Sequence, residues 1–186
     1  MKFPNKAKIL ELGCGTGDLW NRNRENINED WSITVSDFSK GMLESTKESL
    51  KPIGHNFTYG VIDAQDIPYE DESFDVVIAR RMLYFVPDIE KALCEIKRIL
   101  VKGGLFYVTT NSSVSMVELN EIVEKFDSKM GLNKIEILIA EENFKSRALP
   151  EKYGFKEEGI IRDAEWLNDK YVNHILYGIL KSEWKY

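Results

Sequence analysis

Three glycines spaced by two residues, Gly13, Gly15 and Gly17, follow a short apolar run that ends at Leu12. This pattern is typical of a buried strand that ends in a tight turn, because glycine adopts backbone angles that other residues avoid and lets a ligand approach the main chain. A helix beginning beyond such a turn offers free N–H groups to an anionic ligand. The glycines therefore indicate a nucleotide-type site, although a dinucleotide fingerprint would need glycine where Asp18 stands.

Three acidic residues lie in or at the ends of the first three predicted strands. Asp37 ends the second strand about 20 residues beyond the glycines, where a carboxylate can accept hydrogen bonds from both hydroxyls of a ribose. Asp63, followed by Ala64, closes the third strand and can reach the amino edge of an adenine. Glu11 lies within the first strand and can face the amino group of a bound amino acid. Together they predict a pocket for an adenosyl group joined to an amino acid.

Each of these residues also has a purely structural interpretation. Asp37 could cap the helix that begins near Ser39, and Asp63 could be an ordinary turn residue. Glu11 is harder to explain in this way, because a carboxylate is rarely buried without a partner. Taken jointly, the residues favour the binding interpretation.

The elements that position these residues alternate between strand and helix. The predicted strands and helices of this first part are Lys8–Leu12, Ser32–Ser36, Ser39–Leu50 (helix), Phe57–Ile62, Phe74–Ala79, Asp88–Leu100 (helix) and Leu105–Thr109. The run Lys102–Gly104 predicts the C-terminal stop of the second helix. Near-continuously apolar strands separated by helices predict a parallel sheet covered on both faces. We therefore expect a three-layer, doubly wound α/β fold whose ligands bind beyond the carboxyl ends of the strands.

The pattern changes after Asn111. The spacing of apolar residues predicts a helix over Ser115–Met130, and a strand over Lys134–Ala140 follows. A short helix then begins at about Lys145. Two long strands, about Phe155–Leu167 and Tyr171–Leu180, follow and are joined by a hairpin turn at Asn168–Asp169. The predicted fold thus ends in an antiparallel hairpin.

Charge and composition argue against several classes of function. The formal net charge is −6, whereas a general nucleic-acid surface needs clustered basic residues. No apolar run approaches the roughly 18 residues that cross a membrane, and no signal-peptide pattern opens the chain. Cys14 and Cys94 lack the spacing of a metal site or a disulfide framework, which favours a reducing compartment. We expect a cytoplasmic protein that binds neither membranes nor nucleic acid in general.

Five ordered motifs together resemble the class I S-adenosylmethionine-dependent methyltransferases, in particular the small type 11 group, over about residues 5–127. The resemblance rests on Ile9–Gly17, Val35–Leu43, Asp63–Pro68, Asp71–Ala79, and Met82–Asp88 with Leu100–Gly104. It implies a Rossmann-like methyltransferase fold, S-adenosylmethionine as the cofactor and methyl transfer as the reaction.

The resemblance also implies the roles of individual residues. Gly13, Gly15 and Gly17 would line the methionine and ribose end of the cofactor. Asp37 would hold the ribose, and Asp63 with the Ala64 backbone would hold the adenine. The residues expected to complete the cofactor site are Glu11, Phe38, Met42 and Arg80.

Methyl transfer itself needs few protein groups. The sulfonium is already an activated electrophile, so positioning and exclusion of water supply most of the rate. A general base matters only if the acceptor loses a proton during attack. Arg80 and Tyr84 are the candidate catalytic residues for contact with the acceptor, although Tyr84 could instead pack in the core. The family often carries Asn or Ser in place of Arg80 and His in place of Phe85, so no acid–base residue carries over.

From about Gly131 the chain resembles the closing third of a GNAT-type N-acetyltransferase. In that family the residues matching Asn143 and Ser146 contact the pantetheine arm or help to place the thiol. The glycine-rich loop that holds the pyrophosphate of acetyl-CoA should precede Gly131, but the segment Val117–Phe126 contains no glycine. Many relatives also use tyrosine where Pro150 stands. We therefore expect an S-adenosylmethionine-binding core over residues 1–127 and a GNAT-like segment over residues 128–186, packed into or extending the same sheet.

The leading hypothesis is a methyltransferase with an unidentified small-molecule or protein acceptor. One alternative is a non-catalytic binding or scaffold protein that keeps the fold. The other is an N-acetyltransferase-like protein whose site a second chain completes. The glycine turn begins only a dozen residues into the sequence, so we expect few of the helices that usually cover the cofactor. Apolar surface left there, or an exposed strand edge, would favour a homodimer.

Overall fold

The computed structural model describes residues 3–109, 134–167 and 170–183. The chain folds as two compact units, Met1–Thr110 and Asn111–Tyr186. The predicted boundary after residue 127 and the predicted helix Ser115–Met130 lie outside the described residues, so both stay predictions. Within the described ranges, no helix has the length and apolar character needed to cross a membrane.

The first unit contains a five-stranded parallel sheet. Its strands are β1 (Lys8–Leu12), β2 (Ser32–Asp37), β3 (Thr58–Val61), β4 (Phe74–Arg80) and β5 (Leu100–Thr109). They lie in the order β3-β2-β1-β4-β5, and every neighbouring pair is parallel. The strand order reverses between β1 and β4, which is where open α/β sheets bind their ligands. The prediction of a doubly wound, mostly parallel sheet is confirmed.

Three helices connect these strands: α1 (Asp18–Arg22), α2 (Lys40–Leu50) and α3 (Ile89–Ile99). The longer two have side-chain caps at their N-termini. The Ser39 hydroxyl accepts a hydrogen bond from the Met42 N–H (3.3 Å), and the Asp88 carboxylate accepts one from the Lys91 N–H (2.9 Å).

The core of the first unit lies along the central strands. Ile9 and Leu10 of β1 are fully buried, and so is the run from Val76 to Ala79 of β4. Strands buried on both faces read as continuous apolar runs, which is why the sequence indicated them clearly. The central strands therefore provide a rigid support for the loops at their carboxyl ends.

The predicted helix stop at Lys102–Gly104 is wrong. The helix α3 ends at Ile99, and Leu100 already has extended backbone angles and begins β5. A Cβ on Gly104 would lie 2.9 Å from the carbonyl oxygen of Val101 and 3.1 Å from that of Asp75. The register between β4 and β5 also shifts at this point. Gly104 therefore allows two strand backbones to approach closely and does not end a helix.

The second unit contains β6 (Lys134–Ala140), α4 (Phe144–Lys152), β7 (Lys156–Leu167) and β8 (Lys170–Leu180). Its strands form an antiparallel sheet in the order β6-β8-β7. The predicted strand at Lys134–Ala140 coincides with β6, and the predicted terminal hairpin is the β7–β8 pair. The predicted turn at Asn168–Asp169 lies outside the described residues. The core of this unit is formed by Ile139, Phe155, Ile175, Tyr177 and Ile179.

Candidate functional site

The three glycines of the turn after β1 all have left-handed backbone angles, with φ of 68° at Gly13, 58° at Gly15 and 79° at Gly17. A Cβ on Gly13 would lie 2.7 Å from the Cβ of Met82, so no side chain fits there. At Gly15, by contrast, a Cβ would meet no heavy atom of the described residues within 4 Å. The main chain at Gly15 is therefore accessible to a ligand.

The helix that follows the turn is short. It runs only from Asp18 to Arg22, and the N–H of Gly17 donates to the Cys14 carbonyl (3.0 Å) within the turn itself. A helix of five residues has a small dipole, so it adds little to anion binding.

Asp37 ends β2 and contacts the glycine turn directly. Its Oδ2 accepts a hydrogen bond from the Gly15 N–H (3.0 Å), and its Oδ1 accepts one from the Ser39 N–H (2.8 Å). The N-cap of α2 is Ser39, so the capping interpretation of Asp37 is wrong. Because a carboxylate has about four acceptor positions, two bonds leave Asp37 able to accept hydrogen bonds from ligand hydroxyls.

Asp63 and Ala64 follow β3, the strand next to β2. The N–H of Ile62 donates to the Asp37 carbonyl (3.2 Å), which places Asp63 at the same sheet edge as Asp37. The Asp63 Oδ1 accepts hydrogen bonds from the main chain (2.9 Å) and side chain (3.2 Å) of Gln65. Asp63 thus stabilises its own turn, as its structural interpretation requires, and its contact with an adenine stays a prediction.

Glu11 is buried within β1, with 1% of its surface exposed. Its Oε2 accepts a hydrogen bond from the indole N–H of Trp20 (2.7 Å). Burial raises the pKa of Glu11 to about 7, and the negative charges of Asp37 and Asp18 add to this effect. The Trp20 hydrogen bond and the positive charge of Arg80 act in the opposite direction. Glu11 is therefore a buried carboxyl group that titrates near neutral pH.

Two exposed apolar residues follow Asp37 closely in the sequence. Phe38 is 74% exposed and Met42 is 45% exposed. Arg80 ends β4, at the carboxyl edge of the same sheet. Tyr84 belongs to a 3-10 turn over Leu83–Phe85, but its side chain lies outside the described part of the structure. Its proposed contact with an acceptor stays a prediction.

The structure thus brings most of the predicted site to one edge of the parallel sheet. The residues that lie at or just beyond the carboxyl ends of β1 to β4 are Gly13, Gly15, Gly17, Asp37, Phe38, Asp63, Ala64 and Arg80. Sequence reasoning missed three residues that hold this edge together. Ser36 donates from its hydroxyl to the Glu11 carbonyl (2.7 Å), Trp20 donates to the Glu11 side chain, and Thr46 contacts the glycine turn.

Comparison with known proteins identifies the class of protein that this fold and site define. Residues 10–108, more than half of the chain, match the family of methyltransferase domains. The chain belongs to this family. This family is the one that the ordered motifs of the sequence predicted.

Individual relatives agree with this class. The ubiquinone/menaquinone biosynthesis C-methyltransferase UbiE of Vibrio parahaemolyticus is 29% identical over 173 residues, which are 89% of this chain and 66% of that protein. The chain thus spans just under two thirds of the length of this relative. A solved structure of a putative S-adenosylmethionine-dependent methyltransferase from Methanococcus maripaludis is 25% identical, with a TM-score of 0.52 over 92% of this chain and 77% of that one. The YcgJ protein of Bacillus subtilis shares the fold, with a TM-score of 0.58 at 16% identity, over 96% of this chain and 92% of that one.

The described residues fit the cofactor of this family. The space where a Gly15 side chain would lie is open, and the N–H of the same residue donates to the Asp37 carboxylate (3.0 Å). The exposed side chain of Phe38, the residue after Asp37, adds an apolar surface. An acceptor for hydroxyl groups, an open main-chain turn and an apolar surface are the features that an adenosyl ligand needs.

Proposed function

We propose that this chain transfers a methyl group from S-adenosylmethionine to an acceptor at the carboxyl edge of the parallel sheet. The observation that carries this proposal is the hydrogen bond from the Gly15 N–H to Asp37 (3.0 Å). It joins the glycine turn and the acid of the next strand into one site.

Each residue of the site has a proposed role in holding the cofactor. The free acceptor positions of Asp37 bind the ribose hydroxyls, and Asp63 with the Ala64 backbone binds the adenine. Phe38 and Met42 cover the adenosyl group and exclude water. When bound, S-adenosylmethionine supplies a methyl group already activated by the sulfonium. The protein therefore contributes orientation and a dry surface more than acid–base chemistry.

The ionised form of Glu11 attracts the ammonium group of the ligand through charge. Burial favours the protonated, neutral form of Glu11, with a pKa of about 7. The attraction is therefore larger above pH 7 than below it.

For the acceptor, we propose an electron-rich carbon atom. The name of the UbiE relative, a C-methyltransferase, supports this choice. Arg80, at the end of β4, would stabilise a negatively charged oxygen next to such a carbon. The test uses a labelled methyl donor and a panel of carbon, oxygen and nitrogen acceptors. Label on a carbon acceptor supports the proposal, and label only on nitrogen or oxygen contradicts the choice of acceptor.

For the rest of the chain, we propose that residues 128–186 form a GNAT-like second domain. The order of elements β6, α4, β7 and β8 supports this proposal. Asn143 and Ser146 lie at the start of α4, where the Asn143 side chain accepts a hydrogen bond from the Ser146 N–H (3.2 Å). These two residues therefore already have a structural role as a helix cap.

Titration with acetyl-CoA separates the alternatives for this second domain. Binding of acetyl-CoA without binding of S-adenosylmethionine would favour an acetyltransferase-like protein completed by a second chain. If neither ligand binds, the scaffold alternative is favoured.

We further propose that the protein is a homodimer in the cytoplasm. The free thiols of Cys14 and Cys94 support a reducing compartment. Light scattering of the purified chain measures its mass in solution and tests the dimer.

A further inference from the structure

The peptide groups of Gly15 are held from two different elements. Its N–H donates to Asp37 at the end of β2 (3.0 Å), and its carbonyl accepts a hydrogen bond from the hydroxyl of Thr46 in α2 (2.5 Å). The Thr46 hydroxyl in turn accepts from the Cys14 thiol (3.5 Å). Thr46 is fully buried. Both main-chain polar groups of Gly15, the N–H and the carbonyl, are therefore held by hydrogen bonds.

Gly17 makes this contact possible. A Cβ at Gly17 would lie 3.1 Å from the Cγ2 of Thr46 and 3.0 Å from the Cδ2 of Leu50. The missing side chain allows α2 to pack directly against the turn, so the Thr46 hydroxyl reaches the Gly15 carbonyl.

The neighbouring hydroxyl of α2 behaves differently. Ser45 donates to the Gly41 carbonyl four residues earlier (3.1 Å), which is the usual local bond of a hydroxyl within a helix. Thr46 instead donates out of its helix to a residue 31 positions away in sequence. The two hydroxyls form a matched pair, of which one acts on the glycine turn and the other on its own helix.

We propose that Thr46 is a positioning residue for cofactor binding, an inference that rests on the function proposed above. Its hydroxyl holds Gly15 in the left-handed conformation before the ligand arrives, and it aligns the Gly15 N–H with Asp37. Without this bond, binding must first order the turn, and the cost of that ordering weakens the affinity. Thr46 does not line the open space where a Gly15 side chain would lie. It binds the Gly15 carbonyl and therefore acts on the ligand through the main chain.

The test compares Thr46→Val, which keeps the shape and removes the hydroxyl, with Thr46→Ser, which keeps the hydroxyl. Calorimetry measures the dissociation constant of S-adenosylhomocysteine well below the unfolding temperature of each variant. Loss of one hydrogen bond predicts binding about five- to tenfold weaker for Thr46→Val. Thr46→Ser should remain within about twofold of the unmodified chain, and the control Ser45→Ala should match it. Thr46→Ala removes the hydroxyl in a second way if valine prevents folding.

The outcomes separate this inference from the function on which it rests. If the unmodified chain binds and Thr46→Val binds equally well, Thr46 only stabilises the fold and the inference is wrong. The same conclusion follows if Thr46→Ser loses as much affinity as Thr46→Val, because the hydroxyl then does not matter. If the unmodified chain gives no binding heat, the proposed function is wrong, and the role of Thr46 that rests on it is withdrawn with it. A selective loss in the hydroxyl-free variants supports the positioning role.

Discussion

Replacing Glu11 by glutamine should change how the stability of the protein depends on pH. Burial raises the pKa of Glu11 from 4.5 to about 7 in the folded chain. Between these two values the folded state keeps a proton that the unfolded state releases, so stability falls as pH rises through this window and is constant above it. At about 1.4 kcal/mol for each pH unit, the loss is about 3 kcal/mol. Glutamine cannot ionise, and its carbonyl oxygen can still accept the Trp20 hydrogen bond.

The assay is urea unfolding of both proteins at pH 5 and pH 8 without ligand. The free energy of unfolding of the original chain should fall by about 3 kcal/mol more than that of Glu11→Gln between these two pH values. Other titrating groups contribute equally to both proteins and cancel in this comparison. The exposed carboxylate of Glu29 provides the control, and Glu29→Gln should leave the pH dependence unchanged. Identical pH profiles for Glu11→Gln and the original chain would refute the reasoning.

Two further predictions concern the glycine turn and the loop before β4. Gly15→Ala should lower the free energy of unfolding by about 1–2 kcal/mol, because alanine is strained in the left-handed conformation, and it should block cofactor binding. Gly13→Ala should cost more stability, because its Cβ would also lie 2.7 Å from the Cβ of Met82. Urea unfolding measures the two stabilities and calorimetry measures cofactor binding; equal stability of the two variants would contradict the steric argument. Arg98→Lys should cost about 2 kcal/mol, because the guanidinium forms two bonds to Glu95 (both 2.8 Å) and donates to the carbonyls of Ile67 (2.9 Å) and Tyr69 (2.7 Å), a geometry that lysine cannot reproduce. Thermal unfolding tests Arg98→Lys, and an unaltered unfolding midpoint would show that this hydrogen-bond network does not stabilise the fold.

The sequence predicted the sheet well because its strands are unusually clear. The prediction Lys8–Leu12 coincides with β1, since glycines end the strand immediately afterwards and every residue from Ile9 to Leu12 is buried. The edge strand β3 is shorter than its predicted range Phe57–Ile62. An edge strand ends where pairing with its single neighbour ends. The apolar residues on either side continue the sequence pattern, so the prediction includes them in the strand.

Other features depend on contacts between distant parts of the chain. The role of Gly104 is set by the close approach of β4 and β5, and no local pattern distinguishes this role from a helix stop. The partner of Glu11 is Trp20, which reaches the carboxylate only because the turn returns α1 to the strand. No local pattern distinguishes Thr46 from other helix residues, because its contact with Gly15 requires α2 to pack on the turn.

The central claim is that the glycine turn and Asp37 form one binding site for an adenosyl amino acid. Calorimetry with S-adenosylhomocysteine on the original chain, on Asp37→Ala and on Asp30→Ala tests it most directly. Asp37→Ala removes a charged acceptor at the turn and should bind at least about tenfold more weakly. Asp30→Ala changes an exposed carboxylate outside the proposed site and should bind like the original chain. Equal affinity in all three proteins would contradict the claim.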